Sequence, residues 1–459
     1  MKASLSEFRT VLQCKKFEFH GNAMCVFSII MRFSLHNVMC VFSIIMRFSL
    51  YLNIMFPNIL TEGVIMASLP LGNDTNLDDS QFYNRVEEIS FISDNLEVTK
   101  KGSTPTILLT GIRGVGKTAL MKKLKKDFKD EYVVVYMDLA GMDKFKKDDK
   151  LTRFCFMKLL YESLIKACRQ SNITTINIQI LKYFKTHNLK LDRLESVDKI
   201  PIPILKTEED YAKFTTFVMD LPQQIYDDCK NHINSILIFI DEFQLLKQLD
   251  ENVNEFLWYI RSVIQSQKYI GYIFSGSMSV KDDLIGDIAG QRGAFGGRIL
   301  NYEIKTFSFE TTKNYLAEKA DYLKFTDDGF ERFYKCTNGN PYYVNSFARL
   351  LPPNEELNEE KVISEFEKTL PYLVVHLTNE WYKLTKQEQR IITSLVEKPL
   401  KRIEIANKMG VTSGAIGASL KSLQNKILIE LDKDRFKIYD SIFKAWLKKE
   451  YREKGDYPY

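Results

Sequence analysis

A lysine and a threonine stand side by side at the end of a glycine-rich loop, in the stretch GIRGVGKTAL at 111–120. Loops of the form Gly-x-x-x-x-Gly-Lys-Thr surround a polyphosphate with backbone N–H groups, because their glycines place no side chain in the way. The lysine of such a loop contacts the outer phosphates, and the threonine hydroxyl is a ligand of magnesium. We therefore predict a phosphate-binding loop made of Gly111, Gly114, Val115, Gly116, Lys117, Thr118 and Ala119, with Thr118 also on the metal.

Two adjacent carboxylates end the apolar run of SILIFIDEFQLL, residues 235–246. A carboxylate at the tip of a buried strand can hold Mg²⁺ through its water shell, and a second one can orient or deprotonate an attacking water. We assign Asp241 to the metal and Glu242 to the catalytic base. Together with the glycine loop, this pair predicts hydrolysis of a phosphoanhydride.

A third apolar run, YIGYIFSGSMSV at 269–280, ends in small hydroxyl residues. Ser277 at its tip is predicted to contact the terminal phosphate or the attacking water. A plain strand-to-loop turn is the alternative, since serine and glycine also favour turns.

Regular elements must hold these motifs in place. The apolar run at 107–110 predicts a short buried strand and ALMKKLKKDF at 119–128 predicts a helix, with the glycine loop at their junction. The stretch 144–234 is mostly helical in pattern, and its apolar spacing favours core packing over a binding face. Further strands are predicted at 132–137, 236–240, 270–274 and 299–304.

The three motifs together resemble those of the archaeal-type ATPases, in the STAND branch of the AAA-related P-loop ATPases. QFYNRVEEI at 81–89 is similar to the opening motif of that family, and DSIFKAWL at 440–447 to its closing motif. NGNPYYV at 338–344 is similar to the Gly-x-Pro motif of its helical lid, which adds Pro341 to the nucleotide-binding residues. The resemblance implies an α/β P-loop NTPase fold, with a parallel sheet in the order 5-1-4-3-2. The nucleotide is then expected at the carboxyl ends of the strands.

The resemblance also implies an arginine near the end of the helix before the fifth strand. GQRGAFGGRILNYEI at 290–304 offers Arg292 and Arg298 there. An arginine can act on a transition-state phosphate from a neighbouring subunit or a lid, whereas a loop arginine can also be simply solvated. We predict Arg298 as the catalytic arginine, which would make the oligomeric state depend on the nucleotide.

Composition and missing motifs narrow the possibilities. The guanine-selective motif Asn-Lys-x-Asp is absent, so ATP is the predicted nucleotide, with Mg²⁺ as its metal. The chain has 459 residues, enough for two to three domains, and 45% of them are hydrophobic. Its seven cysteines contain no Cys-x-x-Cys pair, which argues against a zinc site and for the cytoplasm.

The first 65 residues differ from the remainder, because MCVFSIIMRFSL occurs at 24–35 and again at 39–50. Identity without drift indicates a recent duplication. A membrane span needs about 20 apolar residues, whereas the uncharged run at 33–46 is only 14 residues long. A membrane helix is therefore not favoured, and we hypothesise that the natural start is Met66.

The last block resembles a winged helix-turn-helix with its recognition helix at 412–425. From residue 401 onward, 13 Lys and Arg stand against eight Asp and Glu. This excess of positive charge favours DNA binding, because it attracts the phosphates. In contrast, SGAIGAS at 413–419 lacks the arginine or asparagine that reads bases well. DNA contact, contact with a protein or with the lid, and a purely structural cap all stay open.

The predicted organisation is a leader at 1–65 outside the fold, an ATPase core at 66–308, a helical lid at 309–383 and the winged helix at 384–459. The predicted function is an ATP-dependent switch that hydrolyses ATP and is coupled to the winged helix. Two rivals remain: a DNA-binding regulator that binds ATP without turnover, and a membrane-tethered signalling ATPase that rests on the leader alone.

Overall fold

The computed structural model describes residues 10–19, 22–31, 77, 79, 81–146, 150–173, 176–186, 203, 205–249, 252–277, 286, 288–290 and 293–458. The chain forms two compact units, residues 1–69 and 70–459. In the first unit, strand Thr10–Phe19 pairs antiparallel with Asn22–Met31. Met66 and the uncharged run at 33–46 lie outside the described residues, and within those described no helix is long and apolar enough to cross a membrane.

A five-stranded parallel sheet forms the centre of the second unit. Its strands run in the order β5-β1-β4-β3-β2, which confirms the order that the family resemblance implied. Strands β1, β3 and β4 are buried along their whole length, which suits apolar runs at the middle of a sheet covered on both faces. The strands are β1 Thr106–Thr110, β2 Val133–Asp138, β3 Ile236–Asp241, β4 Ile270–Ser275 and β5 Leu300–Glu303.

Alternate residues of each strand enter two separate cores. Leu237 and Phe239 of β3 belong to the core that also contains residues of α1 and α2. Ile238 and Ile240 belong to the core on the other face, which contains residues of α3, α5 and α6. Both helical layers are therefore fixed by the two-residue period of the strands. The helices are α1 Val86–Glu97, α2 Lys117–Phe128, α3 Arg153–Gln170, α4 Ile176–Thr186, α5 Glu208–Cys229 and α6 Val253–Ile264.

A helical region follows the sheet in the chain. It contains α7 Phe309–Lys319, α8 Asp327–Thr337, α9 Pro341–Ala348, α10 Glu359–Leu373 and α11 Val375–Tyr382. Two short strands, β6 Lys324–Phe325 and β7 Glu356–Leu357, pair in parallel. Asn340 caps α9, and Pro341 is its first residue, where a missing N–H costs nothing.

The C-terminal block consists of four helices and a hairpin. Thr385 and Glu388 form the capping box expected at its first helix, because each side chain accepts the other residue's backbone N–H. Its third helix begins at Gly417, five residues later than the start predicted at Thr412, because residues 413–416, which include Gly414, form a turn. The elements are α12 Lys386–Leu395, α13 Arg402–Met409, α14 Gly417–Asn425, β8 Ile429–Asp432, β9 Arg435–Ile438 and α15 Ser441–Lys454.

Candidate nucleotide site

The glycine loop joins β1 to α2 and uses conformations that favour glycine. Gly111, Gly114 and Gly116 have φ values of 142°, 83° and 98°. A Cβ atom on Gly114 would lie 2.7 Å from Cβ of Tyr342, and one on Gly111 would lie 2.6 Å from the carbonyl oxygen of Ile304. The loop can therefore take this shape only with glycine at these two positions.

Lys117 is buried at the first turn of α2, with only 6% of its surface exposed. Its Nζ donates hydrogen bonds to the carbonyl oxygens of Gly111 at 2.8 Å and Ile112 at 2.9 Å, and to Oγ of Ser277 at 3.3 Å. Burial lowers the pKa of Lys117 to about 8, although Glu242 and Asp241 favour its charged form. All three of these acceptors are uncharged, so an arriving phosphate would give the ammonium a charged hydrogen-bond acceptor.

Asp241 ends β3 beside the loop and is 2% exposed. Its Oδ2 accepts hydrogen bonds from the hydroxyls of Thr118 at 2.7 Å and Tyr136 at 2.9 Å. Its Oδ1 accepts the backbone N–H of Glu242 at 2.9 Å. The two residues predicted to hold the metal, Thr118 and Asp241, are therefore in direct contact.

These two side chains fit a magnesium ion. Mg²⁺ takes oxygen ligands, usually keeps several waters and is commonly bound through one or two carboxylates plus substrate phosphates. Thr118 and Asp241 present a hydroxyl and a carboxylate at one point. Over the part of the chain that the structure describes, no group of three or more His, Cys, Asp and Glu forms a closed metal cage, so the phosphates of the nucleotide would have to complete the coordination.

Glu242 follows Asp241 in the left-handed region, with φ of 54°. Such a conformation is strained for a residue with a side chain, and strain of this kind clusters at functional sites. Burial raises the pKa of Glu242, the hydrogen bond from Gln244 opposes this, and the neighbouring Asp241 raises it further. A carboxylate with a raised pKa is a better proton acceptor near neutral pH.

Gln244 links Glu242 to the end of the fourth strand. Its Nε2 donates to Oε2 of Glu242, and its Oε1 accepts the backbone N–H of Ser277 at 3.1 Å. Ser277 therefore contacts both Lys117 and Gln244, the partner of Glu242. The sequence reasoning did not include Gln244, whose position two residues after Glu242 was the available signal.

The helical region contacts the phosphate loop through the residues that flank Pro341. Nδ2 of Asn340 donates to the carbonyl oxygen of Arg113 at 3.0 Å. The backbone N–H of Tyr342 donates to the carbonyl oxygen of Gly114 at 3.2 Å. Pro341, the first residue of α9, thus lies where this helix contacts the phosphate loop.

Arg85, in the opening motif, is a further residue that the sequence reasoning missed. It is 6% exposed, and NH2 donates to the carbonyl oxygen of Val115 at 2.8 Å. NH1 pairs with Glu88 at 2.7 Å, and the guanidinium lies 4.9 Å from the ring centre of Phe307. Arg85 therefore fixes the outer side of the phosphate loop.

Arg298 does not come together with the other predicted residues. The backbone N–H of Ile304, six residues further on, donates to Thr110, immediately before the loop. Leu300 lies beside Ile107 in the parallel pairing of β5 with β1, so Arg298 precedes the amino end of the strands, whereas the loop follows their carboxyl end. NH1 of Arg298 is 3.0 Å from the side-chain amide of Gln265. Arg292 lies outside the described residues.

A parallel 5-1-4-3-2 sheet with a glycine loop after its first strand defines a P-loop NTPase. The model of a family described as an ATPase domain predominantly from Archaea matches residues 82–347. The chain belongs to this family of ATPases, as the motifs predicted.

One solved structure shows the same fold. A Walker-type ATPase of Pyrococcus abyssi is similar with a TM-score of 0.56 and 16% identity, over 83% of this chain and 99% of that one. The ORC2 protein of Aeropyrum pernix, in ADPNP and ADP complexes, has a TM-score of 0.48 and 13% identity over 80% and 96% of the two chains. Cdc6p of Pyrobaculum aerophilum has a TM-score of 0.37 and 13% identity over 81% and 94%. No curated protein matches the chain significantly.

Proposed function

We propose that the protein binds ATP with Mg²⁺, hydrolyses it, and serves as a nucleotide-dependent switch. One observation carries the proposal: Lys117 and the Thr118–Asp241 pair lie at the same edge of the sheet as Glu242, a half-buried carboxylate whose pKa is raised. This arrangement supplies a cation for the phosphates, a place for the metal and an acceptor for a proton of water.

Each residue has a distinct part in this proposal. Lys117 and the N–H groups of residues 111–119 bind the phosphates, and Glu242 accepts a proton as water attacks the terminal phosphorus and the bond to ADP breaks. Ser277 and Gln244 keep Lys117 and Glu242 in place. When bound by Thr118 and Asp241, Mg²⁺ neutralises charge on the phosphate oxygens.

The direct test is nucleotide binding and phosphate release by the full chain. We expect ATP binding that tightens with Mg²⁺, and slow phosphate release that stops with EDTA. GTP is the comparison, because the guanine-selective motif is absent. Binding of ATP without Mg²⁺-dependent phosphate release would favour the rival function, a regulator that uses ATP only as a ligand.

Arg298 is proposed to act on the site of a second copy. Arg298 is exposed and precedes β5, at the end of the sheet opposite the phosphate loop of its own chain, so we propose that it reaches a phosphate bound by a neighbouring subunit. A catalytic role for Arg298 therefore requires an oligomer that forms with the nucleotide.

The lid supplies a route from the nucleotide to the C-terminal block, which we propose is a winged helix-turn-helix. Asn340 and Tyr342 hold the phosphate loop, and the next residue, Tyr343, donates its hydroxyl to Oδ2 of Asp440 at 2.5 Å. Oδ1 of Asp440 caps α15 by accepting the N–H groups of Ile442 and Phe443. A shift of α9 on nucleotide binding would therefore act directly on the start of α15.

Replacing Tyr343 with phenylalanine is expected to uncouple the two parts. In the parent chain, Mg²⁺ and ATP should change hydrogen exchange in α15. In Tyr343→Phe that change should be lost, while the affinity for ATP alters less than about threefold, because only one hydrogen bond to a carboxylate is removed. Tyr315→Phe, which removes the bond to Asn345 inside the lid, is the matched control. An unchanged exchange response in Tyr343→Phe would refute this route.

The contacts of α14 favour a role within the chain over reading of DNA. Ser422 and Lys426 both bond to Oε1 of Glu388 at 2.7 Å, and Ser419 bonds to Gln387 at 3.0 Å. Burial opposes the charge on Glu388, but the hydrogen bonds from Lys426 and Ser422 outweigh the effect of burial and lower the pKa of Glu388 to about 2. Because these polar groups face α12, we propose that the C-terminal block contacts the lid or a protein partner, with DNA binding as the alternative.

A further inference from the structure

The carboxylate of Asp241 has three hydrogen-bond donors already in place. They are the hydroxyls of Thr118 and Tyr136 on Oδ2 and the backbone N–H of Glu242 on Oδ1. A carboxylate offers about four acceptor positions. One position, on Oδ1, therefore remains for a water of a metal ion.

We propose that Tyr136 is a positioning residue for Mg²⁺: its hydroxyl fixes the Asp241 carboxylate so that the free position faces the metal. This inference rests on the proposed function and adds to it a residue from the neighbouring strand. Thr118 alone cannot fix the carboxylate in this way, because its oxygen must also serve the metal.

The sheet makes this contact possible. Strand β2 pairs with β3 in parallel, with Tyr136 beside Phe239 and Asp138 beside Asp241. Tyr136 thus lies two residues before the position that faces Asp241 on the neighbouring strand. Its side chain is long enough to reach the carboxylate from there. Its ring packs with the core formed by α1 and α2, so the packed ring anchors the position of the hydroxyl.

The contact predicts an effect on the metal rather than on the nucleotide. Outer-shell partners of metal ligands typically change metal affinity by about 10- to 100-fold when they are removed. Tyr136→Phe keeps the ring and removes only the hydroxyl. We expect the Mg²⁺ concentration for half-maximal tightening of ATP binding to rise at least about 10-fold, and ATP affinity in EDTA to stay within about twofold.

A fluorescent ATP analogue, titrated into the full chain at a series of Mg²⁺ concentrations, measures both quantities. Tyr272→Phe is the matched control: Tyr272 is a buried strand tyrosine whose hydroxyl bonds to Gln267, on the segment that leads into β4. It should leave the Mg²⁺ requirement unchanged, and thermal melting without ligand reports any general loss of stability.

Three outcomes would overturn the inference. These are an unchanged Mg²⁺ requirement in Tyr136→Phe, a lowered one, or an equal rise in both variants, which would indicate general loosening. If the parent chain itself binds ATP without any response to Mg²⁺, the proposed function fails at that step, and the two failures are thereby distinguished.

Discussion

Replacing Lys117 with alanine is expected to weaken the binding of ATP with Mg²⁺ by at least about 100-fold. The ammonium is buried among carbonyl and hydroxyl oxygens at the base of the loop. Two charge-assisted hydrogen bonds to phosphate, at about 1.5–3 kcal/mol each, amount to about 3–6 kcal/mol. Since about 1.4 kcal/mol is a factor of ten, the loss spans about 100- to 10,000-fold, which calorimetric titration can measure.

The fold of the Lys117→Ala variant should survive. The pKa of Lys117 is lowered mainly by burial, which means that keeping this group charged lowers the free energy of unfolding. Removing the charge also removes that cost, so melting without nucleotide should change little. Lys126→Ala is the matched control, because Lys126 lies on the same helix and forms a surface pair with Asp79. Full affinity in a folded Lys117→Ala protein would refute the phosphate site altogether.

The predicted site residues that lie together in the structure are those whose positions are set by their immediate neighbours. The glycine loop follows β1 and begins α2, so Lys117 is placed by the turn that precedes it. Asp241 is placed by the end of β3, and the apolar runs predicted β1, β3 and β4 because these strands are buried along their whole length. The sheet order came from the resemblance, because strand pairing is not a local property.

The residues that were missed depend on strand register or on packing between distant segments. Tyr136 reaches Asp241 only because β2 lies beside β3 in one particular register. A tyrosine in an apolar strand otherwise indicates core packing. Arg85 lies 30 positions before Val115 and meets it only in the fold. The distance between Arg298 and the loop likewise follows from the pairing of β5 with β1.

Glu242→Gln is expected to bind ATP as the parent does and to lose nearly all phosphate release. The substitution keeps the size of the side chain and removes its ability to accept a proton. General base catalysis contributes about 100- to 10,000-fold to a rate, so phosphate release should fall by about that factor. The glutamine can still bond to Gln244, because either amide can turn to present its oxygen or its nitrogen. The loop and Ser277 should therefore stay in place.

Two comparisons separate the base from the metal site. Asp241→Asn should raise the Mg²⁺ requirement, because the weaker amide acceptor replaces the carboxylate that Thr118 and Tyr136 contact. Glu242→Gln should leave that requirement unchanged, since Glu242 makes no contact with Thr118. Glu255→Gln, at an exposed acid in the first turn of α6, controls for the loss of one negative charge. If phosphate release by Glu242→Gln equals that of the parent chain, the proton acceptor is a different group and the raised pKa of Glu242 has no catalytic meaning.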